Sequence, residues 1–144
     1  MRKIVFAASA ISFILVINAC KKSGSTNSSA KTVQNLSGSY TLTALTANFL
    51  GASVNLYDSL PACDKDNVIQ LNTNMSAQFI DAGVVCVPPS DSTGTWSLSA
   101  NADTLYVAGS ANFIKSWDGK TLVLTSQEEI SGFPVTATTT LSKK

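Results

Sequence analysis

From Leu36 onward, apolar and polar positions alternate with period two, in short runs bounded by Gly, Asn, Asp and Ser. This is the pattern of short antiparallel strands. Tyr40, Leu42 and Ala44 alternate with Ser39, Thr41 and Thr43, and Ile69 and Leu71 with Gln70 and Asn72. The turn Asn72-Thr73-Asn74 leads into Met75, Ala77 and Phe79. Trp96 and Leu98 form the next stripe, followed by an Asn101-Ala102-Asp103 turn and then Leu105 and Val107. Leu122 and Leu124 alternate with Thr121, Val123 and Thr125, and a last strand, rich in β-branched Thr, runs from about Val135 to Leu141. No stretch after residue 36 sustains a helical period. The segment from Ala47 to Leu60 has no clear pattern and reads as a strand, a lid-like loop or a short helix. Asp58-Ser59-Leu60-Pro61 predicts a turn or a single helical turn, and Pro88-Pro89 a loop. The total is about eight strands in an antiparallel meander, enough to close a barrel or fold as a sandwich.

One hairpin leaves its register open. Trp117-Asp118-Gly119-Lys120 is a strong turn signal. A two-residue loop at Asp118-Gly119 sets Phe113, Lys115 and Trp117 on the face of Leu122 and Leu124. A longer loop with a bulge, Gly119 in the left-handed conformation, sets Ile114 against Leu122 instead. The second choice keeps Lys115 off the apolar face, because a one-residue slip flips every side chain.

The N-terminal segment has a different character. Arg2 and Lys3 precede an apolar run from Ile4 to Ile17, too short for a transmembrane helix of roughly 20 residues but right for a secretory signal. Ile17-Asn18-Ala19-Cys20 then resembles the lipobox of bacterial lipoproteins. That resemblance implies cleavage before Cys20, acylation of its thiol and new amine, and anchoring to a membrane through the lipid. Residues 1–19 are thus expected to be a signal peptide, 20–35 a lipidated Cys and polar tether, and 36–144 the folded domain. Lys at position 21, rather than Asp, points by the same resemblance to the outer membrane.

Composition narrows the chemistry. The chain has Lys plus Arg 10, Asp plus Glu 9 and no His. Near-neutrality gives no electrostatic case for a nucleic-acid partner. Absence of His removes the commonest general base and metal ligand, and with them every Ser-His or Cys-His arrangement. With Cys20 assigned to the lipid, Cys63 and Cys86 remain, as a disulfide or as two free thiols. An exported domain without His or a Cys-x-x-Cys pair lacks the parts for zinc or thioredoxin-like chemistry, which favours the bridge.

Several short motifs then occur in order: Leu36-Ser37-Gly38-Ser39-Tyr40-Thr41-Leu42, Pro61-Ala62-Cys63-Asp64-Lys65-Asp66, Cys86, Gly94-Thr95-Trp96-Ser97-Leu98, Asp103-Thr104-Leu105 and Lys120-Thr121-Leu122-Val123-Leu124. Their order and spacing over most of residues 36–144 resemble the lipocalin-like domain of small Bacteroidetes lipoproteins. The resemblance implies an all-β, eight-stranded lipocalin-like barrel with a Cys63–Cys86 bridge, and carries no activity. Tyr40 stands where lipocalins proper usually have Trp, so an open calyx and a filled barrel both stay open.

Catalytic patterns are absent from the domain. No Gly-x-Ser-x-Gly elbow, Ser-x-x-Lys pair or phosphate-cradling loop occurs, and no cofactor is implied, so a non-enzyme is expected. Asp58, Asp64, Asp66 and Asn67 cluster around Cys63 but fail the EF-hand pattern, and read better as turn formers than as a Ca²⁺ site. Tyr40, Phe79, Trp96 and Phe113 fall on apolar faces. Trp96 reads as core, and Trp117, beside its turn, as partly exposed at a barrel mouth. Tyr40, Phe79, Trp96, Ile114 and Trp117 are the candidate contacts for a small apolar ligand. The rival function is a solid barrel that docks another envelope protein. Interior filling separates the two: large side chains at every inward position exclude a carrier, and small ones gathered at one mouth permit it.

Overall fold

The computed structural model describes residues 30–130 and 132–144. The expected signal peptide at 1–19, Cys20 and the expected tether to residue 29 lie outside the described residues. Nine strands follow a helical turn α1 (Val33–Leu36): β1 (Gly38–Phe49), β2 (Ala52–Asn55), β3 (Val68–Leu71), β4 (Ser76–Ile80), β5 (Ser92–Leu98), β6 (Thr104–Val107), β7 (Ser110–Trp117), β8 (Thr121–Ile130) and β9 (Phe133–Lys143). A second helical turn, α2 (Ala62–Lys65), precedes β3. Every pairing is antiparallel. The sheet runs β1-β3-β4-β5-β6-β7-β8-β9 and closes by pairing β9 with β1, an eight-stranded barrel with β2 as one extra strand. Closure leaves the barrel strands without a long free edge. The ambiguous segment after Ala47 resolves into the end of β1, the hairpin to β2 and the turn that follows.

The registers identify one inward face. Tyr40 pairs with Ile69, Ile69 with Phe79, Leu71 with Ala77, Trp96 with Val107, and Leu122 with Leu141. Because side chains alternate, these partners all point into the barrel. The fully buried cluster gathers at one end: Leu36, Tyr40, Leu71, Ala77, Trp96, Leu105, Ile114, Trp117, Leu122, Leu124 and Leu141. There α1 plugs the barrel. Thr32 caps it by accepting the Asn35 N–H at 3.1 Å, Leu36 is fully buried, and the Tyr40 hydroxyl donates to the Leu36 carbonyl at 2.7 Å. Residues from Thr32 to Asn35, expected to be tether, therefore belong to the folded unit, since Val33 packs against the core.

Two bulges adjust the registers. Thr43 is extra in β1 against β9, and Lys115 is extra in β7 against β8. The second accompanies the longer loop with Gly119 left-handed (φ +98°) and Lys115 off the apolar face, as one of the two expectations has it, but with a shifted pairing. Ile114 pairs with Leu124, not Leu122, and Trp117 pairs with Leu122. The extra residue lets Ile114 and Trp117 both point inward while Lys115 stays exposed. Phe113 is displaced to the outer face and is half exposed, contrary to its expected place on an apolar face. Among the described residues, no helix is long and apolar enough to cross a membrane.

Candidate functional site

The end of the barrel opposite α1 is open, and on β5, β7 and β9 the inward side chains shrink toward that opening, whereas β4 runs from Ala77 to Phe79. Along β5 the inward sequence is Trp96, Gly94, Ser92; along β7 it is Trp117, Ile114, Asn112, Ser110; along β9 it is Leu141, Thr139, Ala137. Small side chains cannot meet across the barrel, and an unfilled volume remains. It has two adjoining lobes. The inner lobe, about 300 Å³, is walled by Ile69, Leu71, Phe79, Leu105, Val107, Leu124 and Leu141, with Ala108, Ser110, Asn112 and Thr139. The outer lobe, about 280 Å³, is bounded by Leu42, Val68, Ile69, Phe79, Ile80 and Leu141, with Asp64, Asn67, Ser90, Ser92 and Thr139. Ile69, Phe79, Thr139 and Leu141 belong to both. An apolar wall with a few polar groups, at roughly 300 Å³ or more, is the usual character of a small-molecule site.

The rim is built by α2 and the loop between β4 and β5, and the Cys63–Cys86 disulfide ties one to the other. Carboxylates order that loop. Asp81 accepts the backbone N–H groups of Cys86 and Ser90 (2.9 Å to the latter), Asp91 accepts that of Asp81 at 3.0 Å, and Asp66 accepts that of Val84 at 2.8 Å. Asp58 accepts the Asn55 side-chain amide. Asp58 and Asp66, two of the acids gathered around Cys63, are thus engaged in turn and loop hydrogen bonds. Cys63, Asp64 and Cys86 lie close together, but both sulfurs are spent in the bridge, leaving only carboxylate oxygens as ligands. The approach of Asp64 Oδ1 to Cys86 Sγ, 3.4 Å, is a contact rather than a hydrogen bond, because a disulfide sulfur carries no proton.

Of the candidate ligand contacts, Phe79 lines both lobes. Tyr40, Trp96, Ile114 and Trp117 sit in the filled end below the cavity. Trp96 forms part of that floor, its indole N–H donating to the Asn72 carbonyl at 2.8 Å. Trp117 is not at the mouth. It is only 7% exposed, 6.3 Å from the Tyr40 ring centroid, with the Lys143 ammonium 5.7 Å above its ring. It lies beside a turn, but that turn is at the plugged end. Ile69, Val107, Asn112 and Thr139 were not among the candidates. Ile69 and Val107 already carried the inward alternation in the sequence, and the missing knowledge was which end of each strand faces the opening.

The chain matches no protein-family model and no curated protein.

The walls of the mouth are unequal. β1, β8 and β9 run 12, 10 and 11 residues, against 4 or 5 for β3, β4 and β6. The long strands stand above the opening as a backrest with β2 on its edge. Its face continuing the barrel interior carries Phe49, Val54, Ile130, Phe133 and Val135, all but Val135 exposed. Phe49 and Phe133 meet edge to face at 5.7 Å.

Proposed function

We propose that this protein is a lipid-anchored barrel of the cell envelope that holds a small, mostly apolar molecule in the cavity at its open mouth. The observation that carries the reading is the unfilled, largely apolar volume at the mouth, left where β5, β7 and β9 taper from Trp and Leu at the plug to Ser, Gly, Asn and Thr. A solid barrel would place large residues at both ends. The lipobox-like Ile17-Asn18-Ala19-Cys20 supports the anchor, and Lys21 in place of Asp supports an outer-membrane address. The folded unit is entered at Ala30, beside the plug, so a tether of about ten residues from Cys20 would reach at most ~36 Å. That reach favours a mouth turned away from the membrane. A binding role is the one proposed.

Native mass spectrometry of the protein purified gently from its host's envelope is the test. A small-molecule adduct lost on denaturation is expected. A bare mass, together with no uptake of an apolar fluorescent probe, would overturn the reading. The anchor has its own check: Cys20→Ala should abolish acyl labelling and release the protein from membranes, and unchanged fractionation would refute it.

One feature favours the alternative, a docking module for another envelope protein: the exposed apolar face of the backrest. In-cell crosslinking from position 54 distinguishes it, since a discrete protein adduct is expected only if that face is covered.

A further inference from the structure

The charges of the folded unit are segregated along the barrel axis. Every carboxylate side chain except Asp103 and Asp118 lies on the mouth side: Asp58, Asp64, Asp66, Asp81 and Asp91 around the rim, Glu128 and Glu129 on the backrest. Lys31, Lys120, Lys143 and Lys144 cluster at the plug, and Lys115 lies outside β7. The one lysine on the rim, Lys65, donates to the Asp58 carbonyl at 3.1 Å and stands 5.4 Å over the Tyr57 ring.

One carboxylate brings this field to the cavity itself. Asp64 lines the outer lobe, and among the described residues its carboxylate receives no N–H or O–H donor. Asn67 lines the same lobe. Its Nδ2 donates to Ser90, while its Oδ1 is buried and receives no donor. The apolar inner lobe with the Asp64 carboxylate at its entrance therefore selects for charge as well as for apolar surface.

We infer that the cavity binds cationic amphiphiles: an apolar body in the inner lobe and an ammonium-type head against the Asp64 carboxylate. This rests on the cavity reading above and names its ligand class. An anionic head would meet the carboxylate field, whereas a cation is concentrated by it.

The plug, all strands and the disulfide lie within residues 30–144, so that segment is the folded unit on which to test it. Octylammonium, 1-octanol and octanoate share one tail and differ in head charge. Calorimetric titration at pH 7 and low salt is expected to show octylammonium at least ten-fold tighter than 1-octanol, and octanoate weaker than both. Asp64→Asn should cut the octylammonium preference several-fold and leave 1-octanol unchanged, and 0.5 M salt should do the same. Equal or tighter binding of 1-octanol or octanoate would overturn the cation preference while leaving the apolar cavity in place. Failure of all three to bind at millimolar concentration would overturn both.

Discussion

Tyr40 shows how one polar atom fixes the plug to the barrel. Its ring is wholly buried, and its hydroxyl donates to the Leu36 carbonyl of α1. Burial raises its ionisation well above the ordinary value of 10.0. The neutral form is therefore the one the folded state holds, so its stabilisation is complete below pH 10 and is lost as pH rises toward the raised folded value. Tyr40→Phe keeps the ring but leaves a buried carbonyl unmatched, and should cost about 1–3 kcal/mol in urea unfolding at pH 7. Asp118 acts at the other extreme of pH. The backbone N–H groups of Thr121 and then Lys120 hold its carboxyl below 3.8. A depressed folded value gives stability that is present above pH 3.8 and disappears as pH falls through the lowered value. The melting temperature of Asp118→Asn should thus lie below that of the parent at neutral pH and converge with it in acid. A constant offset down to the lowest pH would contradict this account of the turn.

At the scale of elements, strand positions were legible in the sequence because period-two burial leaves its mark on every strand of the barrel. Leu122 and Leu124, or Ile69 and Leu71, need no structure to be placed on one face. Registers were less legible. The bulge at Lys115 conserves the inward placement of both Ile114 and Trp117 by inserting a residue into one strand, and a single chain gives no view of the partner strand. β2 was hidden for a related reason: all four of its residues are exposed, so no buried stripe marks it. The disulfide belongs to this scale as well. It closes a separation of 23 residues between α2 and the rim loop, both outside the hydrogen-bonded barrel. Cys63→Ser with Cys86→Ser should cost roughly 2–4 kcal/mol. Hydrogen exchange should speed at Val84 and Cys86, whose N–H groups are held only by carboxylates, and stay slow in β7, β8 and β9. Loss of protection throughout the barrel would show that the bridge supports the core rather than the rim.

For the molecule as a whole, function depends on a property no strand carries alone. Ser92, Gly94, Asn112, Ser110 and Thr139 each look like ordinary polar or small residues in their own strands. They become a cavity only because closure brings the ends of β5, β7 and β9 to the same height, at the end where the long wall stands above the short one. The large aromatics stand out in the sequence because they offer the most surface, and for the same reason three of the four aromatic candidates, Tyr40, Trp96 and Trp117, fill the plugged end together with Ile114. The taper can be reversed by one substitution. Thr139 faces both lobes and pairs with Leu124 and Leu45; in Thr139→Leu the hydroxyl oxygen is lost, two carbons are added, and the larger side chain enters unfilled space rather than a packed core. Overpacking normally destabilises by about 1–3 kcal/mol, whereas filling a void gains roughly 0.8 kcal/mol per buried methylene-sized group. The variant should therefore melt at or above the parent temperature while taking up an apolar probe at least several-fold more weakly. A lowered melting temperature with undiminished uptake would place the occupied volume elsewhere, and the exposed backrest would then be the surface to probe.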